Sequence, residues 1–245
     1  MRETHMHPFK ESIRFYARNI ESLLLLSAVL VVPFFIIHNF TLNYLNLIAA
    51  ITGAKFVASF FNLFLLLLFL LILQIPFAQY VQSDLDGDER PVRKAFRAFF
   101  EHSFSVFVFG IVFSFLVSAG MMLFMIPGLI ILVLFYLTPF FVVLKKQSAW
   151  RSWRGALEMG KKHFLQIFGL LLLVSLVEWL ISLAGLFLVT SITSTFGAVM
   201  FIELLLNVIV LPFFAVMFMM YVNKWKEEAA GAEAAVSGGL LLDER

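Results

Sequence analysis

The sequence predicts an all-α integral membrane protein with six transmembrane helices. Three observations predict it. Of the 245 residues, 62% are hydrophobic and only 14% charged, against roughly a quarter charged in soluble domains. Apolar runs long enough to cross a bilayer recur from Leu23 to Val222. The cations fall almost entirely in alternate connecting segments, and so on one side.

A helix rises about 1.5 Å per residue and must cross about 30 Å of hydrocarbon, so about 20 apolar residues make one span. Residues 22–40 supply the first and 56–80 the second. Residues 104–144 hold no charge over 41 positions, which is two spans, with Ile126-Pro127-Gly128 as the expected hairpin turn. Residues 164–189 supply the fifth and 198–222 the sixth. The chain therefore divides into a basic amphipathic segment (1–21), a six-helix membrane domain (22–222) and a tail (223–245). The tail is rich in Ala, Gly and Glu and is expected to be partly mobile. The first apolar run follows a long charged start without a cleavage pattern and is read as a retained helix.

Orientation follows from the Lys and Arg of short loops. With this division 17 of the 18 cations lie on one side, and Lys55 is the exception. Both termini are thus expected in the cytoplasm, and the protein in a bacterial cytoplasmic membrane.

Each odd-numbered span is preceded by a basic segment with helical spacing. Phe9, Ile13, Tyr16 and Ile20 oppose Lys10, Arg14 and Arg18; Val92, Phe96 and Phe99 oppose Arg93, Lys94 and Arg97; Trp150, Trp153 and Leu157 oppose Arg151, Arg154 and Lys161. Such segments lie in the headgroup boundary, apolar face toward the acyl chains and cations toward anionic lipid. Even-numbered spans share a second feature, in "IPFA" with Pro76, "TPFF" with Pro139 and "LPFF" with Pro212. A proline inside a helix removes one backbone hydrogen bond and kinks the axis. Amphipathic segment, span and kinked span then form a unit that occurs three times, which points to a threefold repeat.

The stretch from Met125 to Leu144, followed by "WRSWRGALEMGKKHFLQIFGLLLL", resembles the bacterial membrane proteins related to the membrane domain of glycerophosphodiester phosphodiesterases. Ile126, Pro127, Gly128, Ala156, Leu157, Gly160 and Lys161 carry the resemblance. In the enzymes that give the group its name the hydrolytic chemistry lies in a separate soluble barrel. The resemblance therefore implies a membrane-embedded accessory role and supplies no catalytic residue.

Ionisable groups inside a bilayer are expensive and mark candidate sites. Glu178 lies halfway along the fifth span, and Ser175, Glu178, Ser182 and Gly185 share one helical face. Glu203 and Asn207 sit one turn apart on the sixth, so the two carboxylates are expected near one another. Two readings stand: a proton- or cation-linked pair, or a protonated Glu178 bonded to a serine or a proline-freed carbonyl, with Glu203 merely interfacial. Gly110, Ser114 and Ser118 read as a packing seam, and Gln74, Gln79 and Asn62 either as a polar path along the second span or as isolated amides that bond their neighbours. "DLDGDER" spaces Asp84, Asp86 and Asp88 like a calcium loop but lacks its glycine and bidentate glutamate. With no cysteine there are no disulfides or thiolate metal sites, and no phosphate loop or nucleophile elbow occurs. The expectation is a non-enzymatic accessory or scaffold protein without cofactor or metal, acting through anionic lipid headgroups and a membrane partner, with no nucleic-acid role. The alternative is a small transporter or permease subunit, working with an ATPase subunit and using Glu178 as a proton- or cation-linked site.

Overall fold

The computed structural model describes residues 7–193 and 195–243, with side chains apart from those of Phe196 and of 232–243. Arg2, His5, Ser194 and Arg245 lie outside the described residues. The helices are α1 (Pro8–Arg18), α2 (Ile20–Thr52), α3 (Lys55–Leu85), α4 (Pro91–Leu123), α5 (Met125–Phe135), α6 (Thr138–Lys145), α7 (Ala149–Lys162), α8 (Phe164–Ile192) and α9 (Phe196–Asp243). Six stretches are long and apolar enough to cross a membrane: α2, α3, α4, α5 with α6, α8, and α9 from Gly197 to Gly231. The chain is a multi-pass membrane protein.

Several boundaries differ from expectation, each for a local reason. The helix of the first span runs on to Thr52, past residue 40, and its polar side chains there bond back to the helix, which satisfies their hydrogen-bonding groups. Asn39 donates to the Phe35 carbonyl, Thr41 to Ile37 and Thr52 to Ile48. The helix stops at Gly53, whose φ of +75° closes a left-handed cap. Ile126-Pro127-Gly128 is not the turn between the third and fourth spans. The chain reverses at extended Phe124 (φ −148°, ψ 110°), and Pro127 lies in the first turn of α5. Gly128 serves the crossing, since a Cβ there would sit 2.5 Å from the Met121 nitrogen. The tail continues α9 as helix through Asp243.

The prolines act differently from one another. Pro76 and Pro212 lie inside continuous helices, whereas the fourth span breaks at Tyr136 and Leu137, with Pro139 opening α6. In the turn preceding Pro212 the Tyr16 hydroxyl donates to the Ile209 carbonyl at 2.8 Å. Its ring lies edge-on to Phe213 at 5.6 Å, and burial pushes its phenol pKa up. Tyr16→Phe keeps the ring and removes the hydrogen bond. It is expected to lower stability by about 1 kcal/mol, read as a lower melting temperature in detergent; an unchanged melt would show that the hydroxyl holds nothing.

The basic segments are not alike either. α1 and α7 are separate helices, set off by Asn19 (φ −111°, ψ 19°) and His163 (φ −113°, ψ 28°). The segment before the third span is not separate and forms the opening turns of α4, because no such break interrupts it. All three dock through small or compact side chains, with Ser12 and Phe15, Ala95 and Ala98, and Ser152 and Gly155 buried. α1 packs on α9, α4 on α3, and α7 on α5 and α6. The expected apolar sets are only partly covered. Ile13 is 48% and Trp150 50% exposed, while Trp153 tilts against Phe135 at 6.0 Å. Arg14, Arg18, Arg93, Arg97, Arg151 and Arg154 are all exposed.

The core sits where the proline-bearing helices run on toward the basic end. Phe77, Ala78, Tyr80 and Val81, then Phe140, Val142 and Val143, then Val216 to Met219 are buried. The Phe218 ring lies 4.7 Å from that of Tyr136 and 6.2 Å from that of Phe140. Gly110, Ser114 and Ser118 form a buried seam facing α3, where a Cβ on Gly110 would meet Leu68 Cδ1 at 2.8 Å.

Ion pairs hold the basic end together. Arg18 reaches Asp84 and Lys94 reaches Asp88, each at 2.5 Å, and Gln82 donates to Asp86 at 2.9 Å. The three aspartates of "DLDGDER" thus serve three different partners. The Lys94 ammonium beside Asp88 holds that carboxyl below its ordinary range. A depressed folded value means that the pair stabilises above the ordinary carboxylate range and that this is lost as pH falls through the lowered value. Asp88→Asn should flatten that part of the acid limb in melts taken from neutral to strongly acid pH. Equal acid sensitivity in the two proteins would contradict the pairing.

Candidate functional site

α8 is 29 residues long, about 43 Å at 1.5 Å per residue, and Glu178 is its midpoint. The helix leans on α9 and reaches α5 and α7 only sparingly. Gly185 permits the approach to α9, since a Cβ there would meet Leu206 Cδ1 at 2.9 Å. α8 does not close against α3, and the gap between them is a cavity of about 240 Å³.

Leucines of α3, Leu132 of α5, Leu171 to Ile181 of α8 and Leu206 to Leu211 of α9 make most of its wall. Into this aliphatic wall the four helical regions insert Gln74, Tyr136, Ser175, Glu178, Ser182 and Asn207. A smaller space of about 130 Å³ adjoins it, bounded by Phe34, His38 and Phe69, and both spaces share Glu178 and Asn207. Toward the basic end the cavity meets Tyr136 and Phe214, behind which lie the fully buried Phe140 and Phe218. The floor therefore falls where α3, α6 and α9 carry their prolines. Mostly apolar concavities with a few convergent polar groups are the usual form of a binding site for small molecules.

The polar groups are unevenly satisfied. Asn207 Nδ2 donates to the Glu203 carbonyl at 2.8 Å, which leaves its oxygen free to accept. Gln74 is 1% exposed, and neither its Nε2 nor its Oε1 has a hydrogen-bond partner among the described residues. The amide is sealed behind the cavity wall, next to Tyr136, rather than presented to the cavity. Glu178 forms no ion pair among the described residues.

Of the residues expected from sequence, Ser175, Glu178, Ser182 and Asn207 come together. Glu203 does not. Like Ser175 and Glu178 it is exposed, but it lies one turn beyond Asn207, while the α9 wall begins at Leu206. The Glu178 and Glu203 carboxyl groups thus share no cavity, and what Glu203 contributes is its backbone carbonyl. Gln74 borders the cavity, and Tyr136 and His38 join without having been expected. Position relative to proline was the available signal, since Gln74 lies two residues before Pro76 and Tyr136 three before Pro139. No protein-family model, curated protein or solved structure matches this chain.

Proposed function

We propose that this is a non-enzymatic protein of a bacterial cytoplasmic membrane, with both termini cytoplasmic, that takes a membrane-borne amphiphile into the cavity around Glu178. One observation carries the reading. An aliphatic wall gathers polar side chains at mid-depth in a cavity between loosely joined membrane helices, and such a lining matches a molecule with apolar and polar parts. The placement of 17 of the 18 cations supports the orientation. Exposed arginines beside exposed Phe9, Ile13 and Trp150 support interfacial segments that touch anionic headgroups. A role as accessory to another membrane protein accords with the resemblance to the membrane domain of glycerophosphodiester phosphodiesterases.

A threefold repeat belongs to the same reading. The stretches "PFKESIRF", "PVRKAFRA" and "SAWRSWRG" align residue for residue, with Arg14, Arg97 and Arg154 equivalent. Their fifth and eighth positions are buried, and the helices that carry them pack on α9, α3, and α5 with α6. Each basic segment thereby packs on the second spanning helix of the preceding copy, and α1 on α9 closes the ring.

Vesicles containing a phospholipid with a photoreactive acyl chain test the proposal. Adducts are expected on the α8 face of Ser175 and Ser182 and on Leu206 to Ala215. Labelling confined to outward residues such as Leu172 and Phe187 would refute it. A transporter is the second reading, favoured by the unpaired Glu178 and the aromatic floor; flux into proteoliposomes, or a co-purifying ATPase subunit, would favour it over retention alone.

A further inference from the structure

We infer that the molecule taken into this cavity is an organic cation, an ammonium group carrying an apolar substituent, with Glu178 as its counter-ion. The inference rests on the amphiphile-binding reading and specifies its chemistry.

Charge comes first. Among the described residues the ionisable side chains lining the two connected spaces are His38, Tyr136 and Glu178, and no Lys or Arg lines either. A carboxyl near the middle of a bilayer must be either protonated or paired, and a cation is the ligand that draws it into the paired form. A cationic ligand supplies the missing partner, and an anionic one would meet repulsion without compensation.

Hydrogen bonding agrees. An ammonium head only donates, so it needs acceptors. The cavity offers the Glu178 carboxylate and the Asn207 oxygen left free by the Nδ2 bond to Glu203. Asn207 is the independent observation, because its amide nitrogen is already engaged while its oxygen remains available beside Glu178 in both spaces. The Tyr136 and Phe214 rings on the floor suit a desolvated cation as well.

Size and lining separate an organic cation from a metal ion. Hard cations require about six or more oxygen ligands. The described residues hold no group of three or more metal-ligating side chains, and the wall here is mostly aliphatic. A cavity of about 240 Å³ has room for a substituent beyond the head.

The test uses the full chain in nanodiscs of zwitterionic lipid and radiolabelled octylammonium, with octanol and octanoate as competitors. Saturable binding of octylammonium is expected, resisted by excess octanoate. Glu178→Gln should weaken it on the order of tenfold to a hundredfold. Asn207→Leu should weaken it less, and Glu203→Gln, outside the cavity, should leave it unchanged, with melting temperatures confirming the fold of each. Equal binding by wild type and Glu178→Gln, or competition by octanoate, would overturn the cation inference. If octanol competes as well as octylammonium, the cavity still takes an amphiphile and the inference about charge fails. If none of the three probes binds, both readings fail together.

Discussion

Phe218→Ala is expected to destabilise the protein by about 2–3 kcal/mol, measured as a shift in a reversible denaturation curve in mixed micelles. Phe218 is fully buried and touches both Tyr136 and Phe140 where α6 and α9 meet. Removing a buried aromatic ring in a soluble core costs about 3–5 kcal/mol. The lower value applies here because unfolded membrane helices remain in an apolar solvent, so lost packing is felt more than lost hydrophobic transfer. The site should change too, since Tyr136 loses its ring neighbour and the floor of the cavity opens toward the basic end. Phe218→Leu should have a smaller effect on both. A change for Phe218→Ala of under about 0.5 kcal/mol, the scale of a surface substitution, would show that the aromatic floor is not a packed element.

Gly128→Val is expected to be at least as damaging, through steric overlap. A Cβ at Gly128 would lie 2.5 Å from both the backbone nitrogen and the Cγ of Met121, and one at Gly120 would lie 2.9 Å from the Gly128 Cα. Side chains can turn aside but a backbone nitrogen cannot, so α4 and α5 would have to separate near Phe124. Overpacking of a close contact costs about 1–3 kcal/mol, sometimes more, and the movement would carry down α5 to Tyr136. Gly169 gives the internal control, since nothing lies within 4 Å of a Cβ placed there. Gly169→Ala should be neutral or slightly stabilising by helix propensity. Comparable melting losses for the two variants would mean that the close crossing of α4 and α5 is not what constrains Gly128.

The parts of this protein that were legible in its sequence are those set by one-dimensional physics. The charge-free run of 41 residues had to be two spans because no single helix of that length fits a bilayer. The grouping of Ser175, Glu178 and Ser182 followed from helical periodicity alone, and all three line the cavity. Span ends were less legible, because hydropathy stops at polar residues whereas the helix stops at a backbone device. Asn39, Thr41 and Thr52 sit within the helix with their side chains bonded to carbonyls one turn back, and Gly53 ends α2. The turn assigned to Ile126-Pro127-Gly128 failed because Pro suits an opening helical turn and Gly a close crossing, as well as either suits a reversal.

Partnership between helices was least legible. Nothing along the chain says that Gln74 and Tyr136, 62 positions apart, meet the same cavity as Glu178; that depends on α8 standing off from α3. Glu203 shows the reverse. It shares a helical face with Asn207, yet it lies a turn beyond the cavity rim, at a depth periodicity does not report. Tyr16 is a similar case, taken for an interfacial residue while its hydroxyl serves a carbonyl 193 positions away.

The most direct test of a ligand-holding cavity at mid-bilayer is native mass spectrometry of the intact protein released from gentle detergent, comparing wild type with Ser182→Phe. Ser182 lines the cavity one turn from Glu178, and a phenyl group there would occupy the space while leaving the outward lipid-facing surface unchanged. If the cavity holds an amphiphile, the wild-type chain carries a bound small-molecule adduct of defined mass and Ser182→Phe, folded with a similar melting temperature, does not. The same adduct at the same occupancy in both proteins would contradict it.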